Sequence, residues 1–87
     1  MDKESIEYLS KNINVTDEIQ QKIENHAKMH GIKAEICAWY KDLDDFYSDW
    51  CSKNVGYTKR EARELFYRGI GEFMYLPNNL GIVRFVI

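Results

Sequence analysis

Proline is nearly absent from this 87-residue chain, which has one, along with five glycines and two cysteines. That composition excludes a collagenous or low-complexity chain. Two cysteines cannot build a disulfide-dense scaffold. A dominant charge is missing too. Twelve Lys and Arg oppose fourteen Asp and Glu, for a net charge of -2, which excludes a polybasic protein that binds by bulk charge. No apolar run approaches the ~18 residues of a membrane span, so no membrane partner is expected. The opening Met1, Asp2, Lys3 and Glu4 do not form a secretory signal. The expected compartment is therefore a reducing cytoplasm, with Cys37 and Cys51 as free, buried thiols. Asn14, Val15 and Thr16 fit the glycosylation sequon, which carries no weight without a secretory route.

What is abundant is aromatic. Twelve of the 87 residues are Phe, Trp or Tyr, and Trp39, Tyr40, Phe46, Tyr47 and Trp50 crowd one short stretch. A chain this short buries only ~60% of its unfolded surface. Large rings then supply core that length does not. Tyrosine dominates the set, and its hydroxyl needs water or a partner, so several rings are expected half exposed.

The length predicts one domain over residues 1–87. Asp2 caps a first helix to about Lys11, with Ile6, Leu9 and Ile13 on one side. Thr16, followed by Asp17 and Glu18, opens a second helix to about His30. Ile19, Ile23, Ala27 and His30 form its stripe, and Gly31 sits where a helix-terminating glycine belongs.

Residues Ile32 to Tyr40 read two ways. With Leu43, Phe46, Tyr47 and Trp50, their apolar members fall within an arc of about 120°, as in one long helix. They also alternate: Ile32, Ala34, Ile36, Ala38 and Tyr40 against Lys33, Glu35, Cys37 and Trp39, as in a strand. Asp42 to Lys53 is helical on either reading. Thr58 to Glu61 is a capping box. It opens a helix with Ala62, Leu65 and Phe66 inward, ended by Gly69 and Gly71. Residues 72–76 and 82–87, joined by the turn formers of 77–81, predict a β-hairpin. The last run is apolar on both faces except Arg84, as an inner strand would be. An inner strand needs a third neighbour, and Ile32 to Tyr40 is the candidate, which tips that segment toward strand. The fold class expected is α+β: helices plus a C-terminal hairpin.

Cys51, Val55, Tyr57, Ala62 and Leu65 occupy apolar positions around Gly56 and the cap Thr58. This spacing resembles the helix-turn-helix family. With a strand before and a hairpin after, the order over residues 51–87 is similar to winged-helix domains. The resemblance implies a DNA-binding transcriptional regulator whose second helix enters the major groove. It would place Lys59, Arg60, Arg63 and Arg68 toward DNA. Against that, Glu61 and Glu64 share the helix, and the hairpin loop 77–81 holds no Lys or Arg to meet phosphates. The bland alternative for these cations is a solvated face paired with nearby acids.

The preceding helix carries Asp42, Asp44, Asp45 and Asp49. Asp42, Asp45 and Asp49 share a stripe beside Phe46 and an edge formed by Trp39 and Trp50. An acidic stripe flanked by rings can dock a basic protein groove, with Asp42, Asp45, Phe46, Asp49 and Trp50 as contacts. The alternative is an exposed face whose early aspartates favour the helix dipole. Asp49 lies too late in the helix for that account. In size and style the chain resembles small accessory proteins of phages and mobile elements, which implies an inhibitor or regulator acting by occlusion, as in anti-defence, on a host protein with a basic surface.

Catalysis is not expected. The aspartates lack EF-hand spacing. His26 and His30, four apart, could with Cys37 and Cys51 imitate a zinc set, but the intervals match no zinc motif, so neither metal nor cofactor is expected. No orienting group completes a Cys–His pair. Gly69 and Gly71 follow a helix, the wrong polarity for a phosphate loop. Edge pairing through Phe85 to Ile87 would permit a homodimer.

Overall fold

A computed structural model describes residues 2–68 and 72–86. Among these residues four α-helices and a three-stranded antiparallel sheet make an α+β fold. Helix α1 spans Lys3–Ser10, and the Asp2 carboxylate accepts from the Ser5 N–H at 2.8 Å. Helix α2 spans Asp17–Met29, with the Thr16 hydroxyl accepting from the Ile19 N–H. Its end is a Schellman motif. Gly31 has φ 66°, its N–H donates to Lys28, and the Ile32 N–H donates to Ala27. This turn uses Ile32, which packs back on the core, so strand β1 begins only at Ile36 and runs Ile36–Tyr40. It also leaves His30 exposed rather than on the buried stripe formed by Ile19, Ile23 and Ala27.

Asp42 caps helix α3, Leu43–Lys53. A turn through Gly56, at φ 103°, leads to the Thr58 capping box and helix α4, Lys59–Tyr67. The expected stops at Gly69 and Gly71 lie outside the described residues, as does Ile87. Strand β2 is Phe73–Tyr75 and strand β3 is Ile82–Val86. The connection is a short 3-10 turn, Pro77–Asn79, in which Asn78 and Asn79 take positive φ.

Strand β3 is central, between β1 and β2. The edges available for pairing are therefore β1 and β2, not the tail at Phe85. The register sets Cys37 opposite Phe85 and Trp39 opposite Val83, with Tyr40 opposite Ile82 and Ala38 opposite Arg84. Because alternate residues point to opposite faces, the sheet separates two cores. On one face Cys37, Val83 and Phe85 pack with Leu9 of α1 and Ile19, Ile23 and Ala27 of α2. On the other, Ile82 packs with Phe46 and Tyr47 of α3 and Ala62 and Phe66 of α4. Both faces of β3 are covered, which is why its sequence reads as a near-continuous apolar run.

Two polar contacts join distant parts of the chain. Buried Ser5 donates from its hydroxyl to the Ala34 carbonyl at 3.1 Å, tying α1 to the approach of β1. The Trp39 indole donates to the Leu80 carbonyl at 3.1 Å, pinning the hairpin turn to β1. Gly81, at φ 131°, passes so close beneath that a Cβ there would stand 2.5 Å from the Tyr40 carbonyl oxygen. No helix among the described residues is long and apolar enough to cross a membrane.

Candidate functional site

Two adjacent helices carry the charges singled out in the sequence, and the fold treats them differently. On α3, each aspartate has work within the molecule. The Asp42 carboxylate accepts from the Asp45 N–H at 2.9 Å. Asp44 pairs with Lys59 at 2.9 Å, and Asp45 with Lys41 at 3.8 Å. Asp49 accepts a hydrogen bond from the Tyr40 hydroxyl and lies 3.2 Å from Lys53 and 3.9 Å from Arg84. The Tyr40 hydrogen bond, helped by Lys53 and Arg84, holds the Asp49 carboxyl below its ordinary value. Burial, and then the acceptor it faces, push the Tyr40 phenol up to about 12.

The expected aromatic flank of this stripe is internal. Phe46 is fully buried, touching Tyr40, Tyr47, Phe66 and Phe73 edge-on or tilted. It cannot meet a partner without unfolding the second core. Trp50 is half-buried against Tyr57 and Phe66. Trp39 and Trp50 form no common edge, because Trp39 packs on the first core and Trp50 on the second. The strand at Ile36–Tyr40 is the reason: on a continuous helix the two indoles would have shared a face. Of the five residues expected to bind a partner, Asp42 and Asp45 stand exposed, Asp49 and Trp50 are half-buried, and Phe46 is core.

On α4 the inner face is Ala62 and Phe66, with Leu65 half-buried. Glu61 is taken up by the capping box: its carboxylate accepts from the Thr58 N–H at 3.2 Å and from the Thr58 hydroxyl at 3.0 Å. Lys59 is held by Asp44. Arg60, Arg63 and Arg68 are exposed, and none forms an ion pair with a described residue. Arg60, Arg63, Glu64, Tyr67 and Arg68 line a hollow of about 350 Å³. A second hollow, about 700 Å³, lies between α3 and α4, lined by Leu43, Asp44, Tyr47, Lys59, Arg60 and Arg63. Arg60 and Arg63 thus border both. The hairpin turn presents Asn78, Asn79 and Leu80, without a cation.

The remaining candidates are spread through the fold. The His26 ring stacks on Phe85 at 5.2 Å and lies 4.4 Å from His30. Cys37 and Cys51 are free and belong to different cores. Burial pushes the Cys37 thiol up to about 11, while Cys51 is only half-buried. Among the described residues no three His, Cys, Asp or Glu side chains come together as a metal-holding group.

Sequence reasoning missed the link of Asp49 to Tyr40 and Arg84, and it missed Tyr67. The first had a signal. A lone arginine in an apolar inner strand needs an acid, and Asp49 was the aspartate that helix-dipole reasoning could not place. Comparison of the chain with protein-family models, with curated proteins and with solved structures finds no match.

Proposed function

We propose that this protein is a small nucleic-acid-binding module that grips phosphates with the outer face of α4. One observation carries the reading: Arg60, Arg63 and Arg68 stand exposed along one helix with no carboxylate partner among the described residues, while every aspartate of α3 is engaged. Phosphate contacts supply most nucleic-acid affinity, and a guanidinium fork matches a phosphate in two directions at once. Within 58–68 four cations outnumber two carboxylates, and Glu61 is turned back into its cap.

The test is binding of labelled oligonucleotides by the whole chain, read by fluorescence anisotropy across salt. Three phosphate contacts predict an affinity that falls by roughly twenty- to fortyfold between about 50 and about 200 mM salt. Arg60→Ala with Arg63→Ala should remove most of the binding and flatten that dependence. Absence of binding at low salt, or binding untouched by the double change, refutes the reading.

A second reading, an inhibitory module for a basic host protein, is favoured by the exposed side chains of Asp44 and Asp45, 75% and 48% accessible despite their pairings. It requires that Asp44→Lys with Asp45→Lys abolish a protein interaction that the arginine changes leave intact.

A further inference from the structure

We propose that the hollow at the C-terminal half of α4 takes an unpaired base, with Tyr67 as the stacking platform, so that the nucleic acid this chain binds is single-stranded. The inference rests on the phosphate-gripping role of α4 and adds the class of ligand. Tyr67 is 91% exposed and makes no ring contact or hydrogen bond with a described residue. An isolated exposed tyrosine means little by itself. Its position is what matters. It follows Arg63 by four residues and precedes Arg68, and all three line one hollow together with Arg60 and a single carboxylate, Glu64, so that three guanidinium groups outnumber one acid there. Residues four apart on a helix are neighbours, and Arg60 to Arg68 spans roughly 12 Å along the axis. A flat ring open to water is thus bracketed by cations along a short track. That pairing of aromatic face and guanidinium is the chemistry by which single strands are held without regard to sequence.

The surroundings of α4 favour a single strand over a duplex. A duplex laid across α4 brings its second backbone onto neighbouring elements. On one side stands Asp44 at the start of α3, lining the adjoining hollow with Arg60 and Arg63. Beyond it, at the start of α3, the hairpin turn of Asn78, Asn79 and Leu80 offers no cation. Asp44, which already holds Lys59, offers phosphate no grip, and neither does the turn. A single strand following α4 alone avoids both, and only an unpaired base exposes a face to Tyr67. Single-stranded DNA and RNA share this chemistry, and the experiment separates them.

The whole chain is titrated with a labelled deoxyribo-oligonucleotide, its ribo counterpart, the corresponding duplex, and an abasic strand of equal length. The expected result is tighter binding of one or both single strands than of the duplex. Tyr67→Ala should weaken single-strand binding roughly ten- to hundredfold, leave the abasic strand unaffected, and be rescued by Tyr67→Phe. Because Tyr67 is exposed, this variant tests binding without disturbing a core. Tighter duplex binding, or single-strand affinity indifferent to Tyr67→Ala while Arg60→Ala and Arg63→Ala still weaken it, overturns the stacking site and leaves the phosphate role standing. Failure of every oligonucleotide to bind at low salt overturns both.

Discussion

Helices α3 and α4 pack side by side on one face of the sheet, and each carries an excess of one charge, negative on α3 and positive on α4. Their fates differ. On α3 the charges are taken into the fold: one caps, two pair with neighbouring lysines, and Asp49 closes onto Tyr40 and Arg84. On α4 and its C-cap, three arginines form no ion pair with a described residue. A charge run is thus a poor guide to function until its internal partners are known. Charges engaged within the fold are accounted for there, and those without a described partner are the ones the proposed function uses.

This contrast is breakable by substitution. The largest effect is expected on the α3 side, at Phe46. Truncation to Ala should cost about 3–5 kcal/mol, since the ring is fully buried among four other rings. Chemical denaturation measures it, and a loss under about 1 kcal/mol would mean that α3 is not anchored as described. Next is Asp49→Asn, which leaves Arg84 poorly compensated at 16% side-chain exposure. About 1–2 kcal/mol is expected, below the range for fully buried pairs because Asp49 is about one-third exposed.

The pH dependence follows with its signs. The Asp49 carboxyl is held below its ordinary 3.8. Its contribution is therefore present above that value and lost as pH falls through the lower folded value. Tyr40 is shifted the other way, from 10.0 to about 12. Its contribution is complete below pH 10 and lost as pH rises through about 12. Denaturation midpoints across pH should show both flanks in the parent chain. Asp49→Asn should diminish the acid flank, and Tyr40→Phe the alkaline one. Smallest of all, Arg60→Ala with Arg63→Ala should change stability by less than about 0.5 kcal/mol, despite its large effect on binding. A larger loss would show that these arginines serve the fold after all.

Much of the architecture was legible in the chain because it is locally encoded. Asp2, Thr16, Asp42 and Thr58 each accept the N–H three residues on. Gly31 ends α2, and the apolar run Ile82–Val86 is the inner strand that its composition predicts. Illegible were the features set by residues far apart. Alternation along β1 and β3 could not say that both sheet faces would be covered, and so could not separate Trp39 from Trp50. The burial of Ser5 depends on a carbonyl 29 residues away. The Asp42, Asp45 and Asp49 stripe assumed helical backbone throughout, whereas Asp42 is the extended N-cap before α3. Whether its neighbour Phe46 pointed in or out depended on where the sheet lay. For α4 the arginines and the Glu61 cap were visible from the start, but that the arginines would keep no acidic partner among the described residues depended on Asp44 choosing Lys59.

The central claim is that α4 retains unspent positive charge that α3 does not neutralise. The most direct test is the salt dependence of oligonucleotide binding, measured for the parent chain, for Arg60→Ala with Arg63→Ala, and for Asp44→Lys with Asp45→Lys. The account predicts a steep dependence in the parent, a shallow one in the arginine variant, and equal or tighter binding in the aspartate variant. Binding that ignores salt and the arginines, or that disappears when the aspartates are replaced, contradicts it.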